Sequence, residues 1–220
     1  AGDAPAALFL PLDLAAEVNL PIGGPGPSGA YTPGDLVTLA PGLHRLGGID
    51  FLIAGGVQLS GGGPAISIHP THPETGVVPV PGIRARRVHA LVMQLVPVSP
   101  RQPPRRFVEL VLSEAGGRTR SLEILLGRDV TTWTMDSAVV PGARLGWVGV
   151  FPSALREGHG AVSHTGGHVY LASLDVPPDA GPLQGLRLRA GQGSMEAPLI
   201  YAVTLEVEDA AQAQADTGGP

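Results

Sequence analysis

Proline and glycine punctuate this chain so densely that a long helix has nowhere to form. Its 220 residues include 23 Pro and 32 Gly, and the apolar residues fall between them in short runs. Proline removes a backbone donor and clashes inside a helix, whereas both residues suit turns and strand ends. The first runs are of strand length: "ALFLPLDL" at 7–14, "LVTL" at 36–39, "GLHRL" at 42–46, "IDFLIA" at 49–54 and "VQLS" at 57–60. Pro41–Gly42, Gly47–Gly48 and Gly55–Gly56 stand at the breaks, as hairpin turns require.

Longer runs follow at 86–98, 106–114 and 119–127, and "EAGGR" at 114–118 predicts a hairpin over 106–127. In the first of these, Val88, Ala90 and Val92 share one face, and His89, Leu91, Met93 and Leu95 share the other. Both faces are mostly apolar, which predicts a strand covered on both sides. Arg84, Arg86 and Arg87 stand at its mouth, where their heads reach solvent or a carboxylate. In the hairpin, Phe107, Glu109, Val111 and Ser113 alternate with Val108, Leu110 and Leu112. Further runs lie at 143–151, 168–176, 183–190 and 197–207. In the last, Leu199, Tyr201, Val203 and Leu205 alternate with Ile200, Ala202, Thr204 and Glu206.

Segments 21–35, 61–82 and 152–167 read as loops, the second because its prolines are too dense for a central strand. Helical turns are expected only at 13–19, capped by Asp13, and at 128–135 and 153–158, capped by Asp129 and Ser153. Ten or more strands with very little helix predict an all-β fold, an antiparallel β-sandwich or barrel. One domain is expected over 1–207, followed by a tail at 208–220 that has nothing to bury and is disordered or ordered by a partner.

Charged residues are 15% of the chain and the net charge is −5, with no Lys. An acidic total argues against a nucleic-acid binder, which needs a basic face. Cysteine is absent, which excludes disulfides and thiolate chemistry. The opening "AGDAPAALFL" has the look of an exported chain after cleavage, so a periplasmic or cell-surface location is expected. No window holds the ~18 uninterrupted apolar residues of a membrane span. The nearest, Val88–Val96, is interrupted by His89 and Gln94 and stopped by Pro97.

Five ordered motifs carry a resemblance: "FLPLDLAAEVN" (9–19), "LAPGLHRLGGIDFLIAGGVQLSG" (39–61), "VPGIRARRVHALVMQL" (80–95), "RSLEILLGRDVTTW" (120–133) and "MEAPLIYAVTLEV" (195–207). In this order they resemble motifs of exported bacterial galactose-binding-like domains, which occur alone or appended to envelope proteins and glycoside hydrolases. The resemblance covers roughly residues 8–207 and implies a jelly-roll β-sandwich, with no reaction attached. Residues 152–167 and 177–196 look unlike that group. The resemblance also implies that calcium is a common stabiliser of such folds. No D-x-D-x-D-G cluster appears, which leaves a site built from backbone carbonyls open.

Candidate chemistry is sparse. His69 and His72 lie three apart beside Pro70 and Pro73, and His159, His164 and His168 cluster later. A metal site would need three or four of them to converge, and no H-E-x-x-H motif supports one, so no metal or other cofactor is expected. "GPSGA" and "GQGSMEA" lack the G-x-S-x-G frame of a serine nucleophile, and a catalytic triad is not expected. Glu109, Glu123 and Glu206 read as the polar face of a sheet. "GGPGPSG" and "SGGG" are turns, since a phosphate loop needs Lys. "GRDVTTW" at 127–133 is the most distinctive stretch. There Arg128 and Asp129 can pair, or Asp129 can cap a turn that aims Trp133. Trp133 is either a sugar platform or protein anchor, or a plug for one end of the sandwich. With Trp147, these residues form the candidate binding set.

The expectation is therefore a non-catalytic structural module, not an enzyme, that docks on an envelope protein complex. A mean hydropathy of +0.20 with only 4% aromatic residues suits an aliphatic protein contact. A carbohydrate-binding module is the runner-up, disfavoured by that scarcity of aromatic rings.

Overall fold

Strands form where the alternating runs lie between Gly and Pro, and they pair antiparallel throughout the two main sheets. The computed structural model describes residues 7–20, 22, 39–60, 72–94, 103–131, 142–152, 164–191 and 198–207, with the backbone alone at 149–152 and 164–167. Twelve strands are present among them: β1 (Leu8–Pro11), β2 (Gly42–Leu46), β3 (Ile49–Ile53), β4 (Val57–Gln58), β5 (Val78–Ile83), β6 (Ala85–Gln94), β7 (Arg105–Glu114), β8 (Thr119–Leu126), β9 (Leu145–Pro152), β10 (His164–Asp175), β11 (Leu183–Ala190) and β12 (Pro198–Val207). The helical content among the described residues is one 3-10 turn, Ala15–Glu17, where Asp13 Oδ1 accepts the Ala15 N–H at 2.8 Å. The fold is all-β, an antiparallel sandwich.

The larger sheet runs β1–β12–β6–β10–β9, with β4 also on β12, and the smaller runs β5–β11–β7–β8. Between them lies the main core. Val88, Ala90 and Val92 of β6 meet Val108, Leu110 and Leu112 of β7 and Leu186 and Leu188 of β11. The opposite face of the larger sheet is covered too. There the hairpin β2–β3 lays Ile49, Phe51 and Ile53 over Leu91, Met93, Leu171 and Tyr201 in a second core. β6 is thus apolar on both faces because it is a middle layer, as its sequence predicts.

Four expectations need correction. Segment 152–167 is not all loop, since β10 begins at His164 and pairs with β9. The Pro-rich segment 61–82 is not loop throughout: β5 begins at Val78, with Pro79 and Pro81 exposed. Among the described strands it is an edge, paired with β11, and an edge tolerates the missing donors of proline. Phe107 does not share a face with Glu109. The β7–β8 register jumps from Arg106 to Val108, and this bulge turns both Phe107 and Val108 into the main core. Gly191 closes on the same bulge, donating its N–H to Phe107 O at 2.9 Å. In β12 the period of two also breaks. A bulge at Tyr201 sends Tyr201 and Ala202 together into the second core, and Val203 and Leu205 into the first.

β9, in the larger sheet, carries a bulge as well. Val169 pairs with Trp147 but Tyr170 pairs with Leu145, so Gly146 is the extra residue. A Cβ there would stand 2.6 Å from Leu91 Cδ2 and 3.3 Å from Leu171 Cβ, so any larger residue would have to push these side chains aside. Asn19, the only Asn, ties the chain's first segment to β4. Its amide donates to Gln58 O at 2.8 Å and accepts the Gln58 N–H at 2.7 Å, in the manner of a strand neighbour.

Candidate functional site

The hairpin roofs only part of the larger sheet. Thr204 Oγ1 donates to Asp50 O at 2.7 Å and marks the border. Around and beyond it two cross-strand rows remain, set by the ladder: Ser173–His89–Thr204 and Asp175–Arg87–Glu206, with Phe9 of β1 opposite Glu206. His89 is 3% exposed, whereas Ser173 beside it is exposed. His89 Nδ1 lies 2.8 Å from Ser173 Oγ, and Nε2 lies 3.2 Å from Glu206 Oε2. The Phe9 ring stands edge-on to the imidazole with centroids 6.0 Å apart.

A bulge builds the charged half of this cluster. Glu206 pairs with Arg87 but Val207 pairs with Ala85, so Arg86 is the extra residue of β6. Both arginines thereby reach Glu206, Arg86 at 3.5 Å and Arg87 at 4.0 Å, and Arg87 Nε also donates to Asp175 at 2.6 Å. The third arginine of the mouth, Arg84, donates to Ala180 O at 2.9 Å. Burial holds His89 below the ordinary imidazole range, against the pull of the Glu206 carboxylate. A neutral imidazole beside a carboxylate that only accepts must carry its hydrogen on Nε2. Nδ1 is then an acceptor facing the Ser173 hydroxyl.

Two further charged clusters knit the smaller sheet. On its outer face Arg189 bridges Glu74 (3.0 Å) and Glu109 (3.2 Å), Arg187 reaches Glu74 (3.4 Å), and Arg106 meets Glu123. At one end Arg120 bridges the buried Glu114 and Asp179, and Glu114 also accepts the Gly181 N–H at 2.9 Å. That N–H, followed by the Arg120 guanidinium, lowers the Glu114 carboxyl below the ordinary range. Guanidinium forks suit such two-carboxylate bridges in a way that a single ammonium does not.

The sequence-derived binding set is placed as follows. Arg128 and Asp129 do pair, at 2.7 and 2.8 Å, and Asp129 Oδ2 also accepts the Leu125 N–H at 2.8 Å, closing the turn after β8. Trp147 lies in the other sheet, half-buried against the second core on β9. Trp133 lies outside the described residues, as do His69, His159 and the tail 208–220. His72 is exposed, and His168 is buried beside Tyr170, whose hydroxyl burial pushes up to about 12. Among the described residues no three His, Asp or Glu side chains gather as a metal site would need, and no helix is long and apolar enough to cross a membrane.

Sequence reasoning passed over Ser173 and His89. The available signal was a lone His inside an apolar run, but its partners lie 84 and 117 residues away and meet it only through strand register. No protein-family model matches this chain, and a search of curated proteins finds no match.

Proposed function

We propose that this chain is an extracytoplasmic β-sandwich that serves as an accessory subunit, docking on an envelope protein assembly. The observation that carries this reading is a contrast in how the surface is used. Arginines of both sheets are engaged with carboxylates or carbonyls of the same fold, as at Glu206, Glu74, Glu114, Asp129 and Gly47. Aliphatic side chains meanwhile face out: Leu43 on β2, and Leu145 and Val148 on the edge strand β9. The hairpin turn and the start of β9 are joined, since Arg144 donates to Gly47 O at 2.7 Å. Aliphatic surface of this kind suits a lasting contact with another protein. The five ordered sequence motifs support reading the sandwich as a galactose-binding-like jelly roll.

The test is purification of the native protein from its own membranes in mild detergent, followed by mass spectrometry. A partner set of fixed stoichiometry, retained after salt washing and lost in Leu43→Asp or Val148→Asp without loss of fold, is the expected result. A lone protein that instead elutes from polysaccharide with free sugar, and loses retention in Trp133→Ala or Trp147→Ala, would replace docking with glycan binding.

A further inference from the structure

We propose that Ser173 is a nucleophile acylated by carboxylic esters, with His89 as its general base and Glu206 as the residue that positions the imidazole. The two bonds of His89, 2.8 Å to Ser173 Oγ and 3.2 Å to Glu206 Oε2, make one line from exposed hydroxyl to carboxylate. Such a line is recognised by geometry and roles, not by order along the chain. The ring presents Nδ1 to the hydroxyl and Nε2 to the carboxylate, the reverse of the serine-protease arrangement. What matters is that the lone pair faces the Oγ–H while the other nitrogen is held by an acceptor. Ser173 meets solvent, while its base is buried under Phe9 and stays neutral because burial lowers its pKa. Exposed Ser121 on β8 makes the natural comparison: its cross-strand partner is Val111, which offers no base.

In the reaction, Ser173 Oγ attacks the carbonyl carbon and its proton passes to His89 Nδ1. The tetrahedral carbon then expels the alcohol, which takes that proton, and the acyl group stays on Ser173. Water repeats the sequence and returns the free acid and the serine, with nothing oxidised or reduced. Arg86 and Arg87, one row along, place positive charge on the same face. The proposal rests on this geometry and not on the docking reading, so either can fail alone.

The test treats the full chain with a fluorophosphonate probe and with p-nitrophenyl acetate, and maps the label by peptide mass. The expected result is one label per chain, on Ser173, lost in Ser173→Ala. Its rate follows deprotonation of one group below the ordinary imidazole range. His89→Gln slows labelling by about 100-fold or more. Glu206→Gln also slows it and shifts the pH midpoint, which a merely structural role would not do. Melting of each variant is measured alongside, and Glu206→Gln decides the matter should His89→Gln not fold. Labelling of Ser121 at the same rate, an unlabelled Ser173 under excess probe, or a rate indifferent to Glu206→Gln would overturn the proposal.

Discussion

Single residues here act mainly through where burial and charge meet. Burial lowers the pKa of His89 and of His168 in the fold, so the unfolded chain takes up those protons first as pH falls. Their effect on stability is therefore absent above about pH 6.5, sets in as pH drops through that value, and levels off below the lowered folded pKa. Urea midpoints measured from pH 8 to pH 5 should fall accordingly, and His89→Gln should make that fall shallower. A second decline is expected below about pH 4, where Glu114 and Asp179, held low by the Gly181 N–H and by Arg120, take up protons. The bridging arginines make a separate prediction. Arg120→Lys should lower the melting temperature more than Arg45→Lys, because Arg120 spans two carboxylates while the Arg45–Asp50 pair is exposed. None of this was legible before the strands were paired. The composition shows arginine without lysine, but only register reveals that one guanidinium serves two acids.

At the scale of elements, the sequence gives strand positions well and strand faces less well. Gly and Pro bracket β2 and β11 at the residues where the structure begins and ends them. The bulge at Tyr201 escapes because Leu199 to Val203 are apolar on both faces, so a slip of phase there leaves no mark in hydropathy. The strand β5 escapes because proline suggests loop more strongly than edge. The covering of both faces of β6 was legible, since an alternation of apolar with apolar has no solvated side. The bulges should respond sharply to substitution. Gly146→Ala forces a Cβ to 2.6 Å from Leu91 Cδ2 and is expected to cost about 1–3 kcal/mol in chemical denaturation. Gly191→Ala should cost at least as much, since its Cβ would meet the Arg106 carbonyl oxygen at 2.3 Å, a backbone atom that cannot step aside. Gly116→Ala, where a Cβ meets nothing within 4 Å, should be close to neutral.

For the whole molecule, the larger sheet is shared by both cores, which couples them. Burying a Leu or Phe side chain contributes about 1.5–3 kcal/mol, against ~0–1 kcal/mol for an exposed ion pair, so the two apolar layers dominate. Phe51→Ala in the second core and Leu188→Ala in the first should each cost about 2–5 kcal/mol. Both should shift one common transition, seen alike by tryptophan fluorescence and far-UV circular dichroism. An early, separate transition in Phe51→Ala would mean that the hairpin layer melts alone. The position of β12 has a consequence for biosynthesis. It is the last of the described strands to be made, yet β1, β4 and β6 all pair with it. Among the described strands, β12 is the only neighbour of β1 and of β4 and the second neighbour of β6, so a ribosome that has just finished β11 has yet to supply it. Closing the sheet then joins residues nearly two hundred apart, a long-range pairing that folds slowly. Throughout that interval the chain shows unpaired apolar edges, which is when a holding chaperone has most to protect.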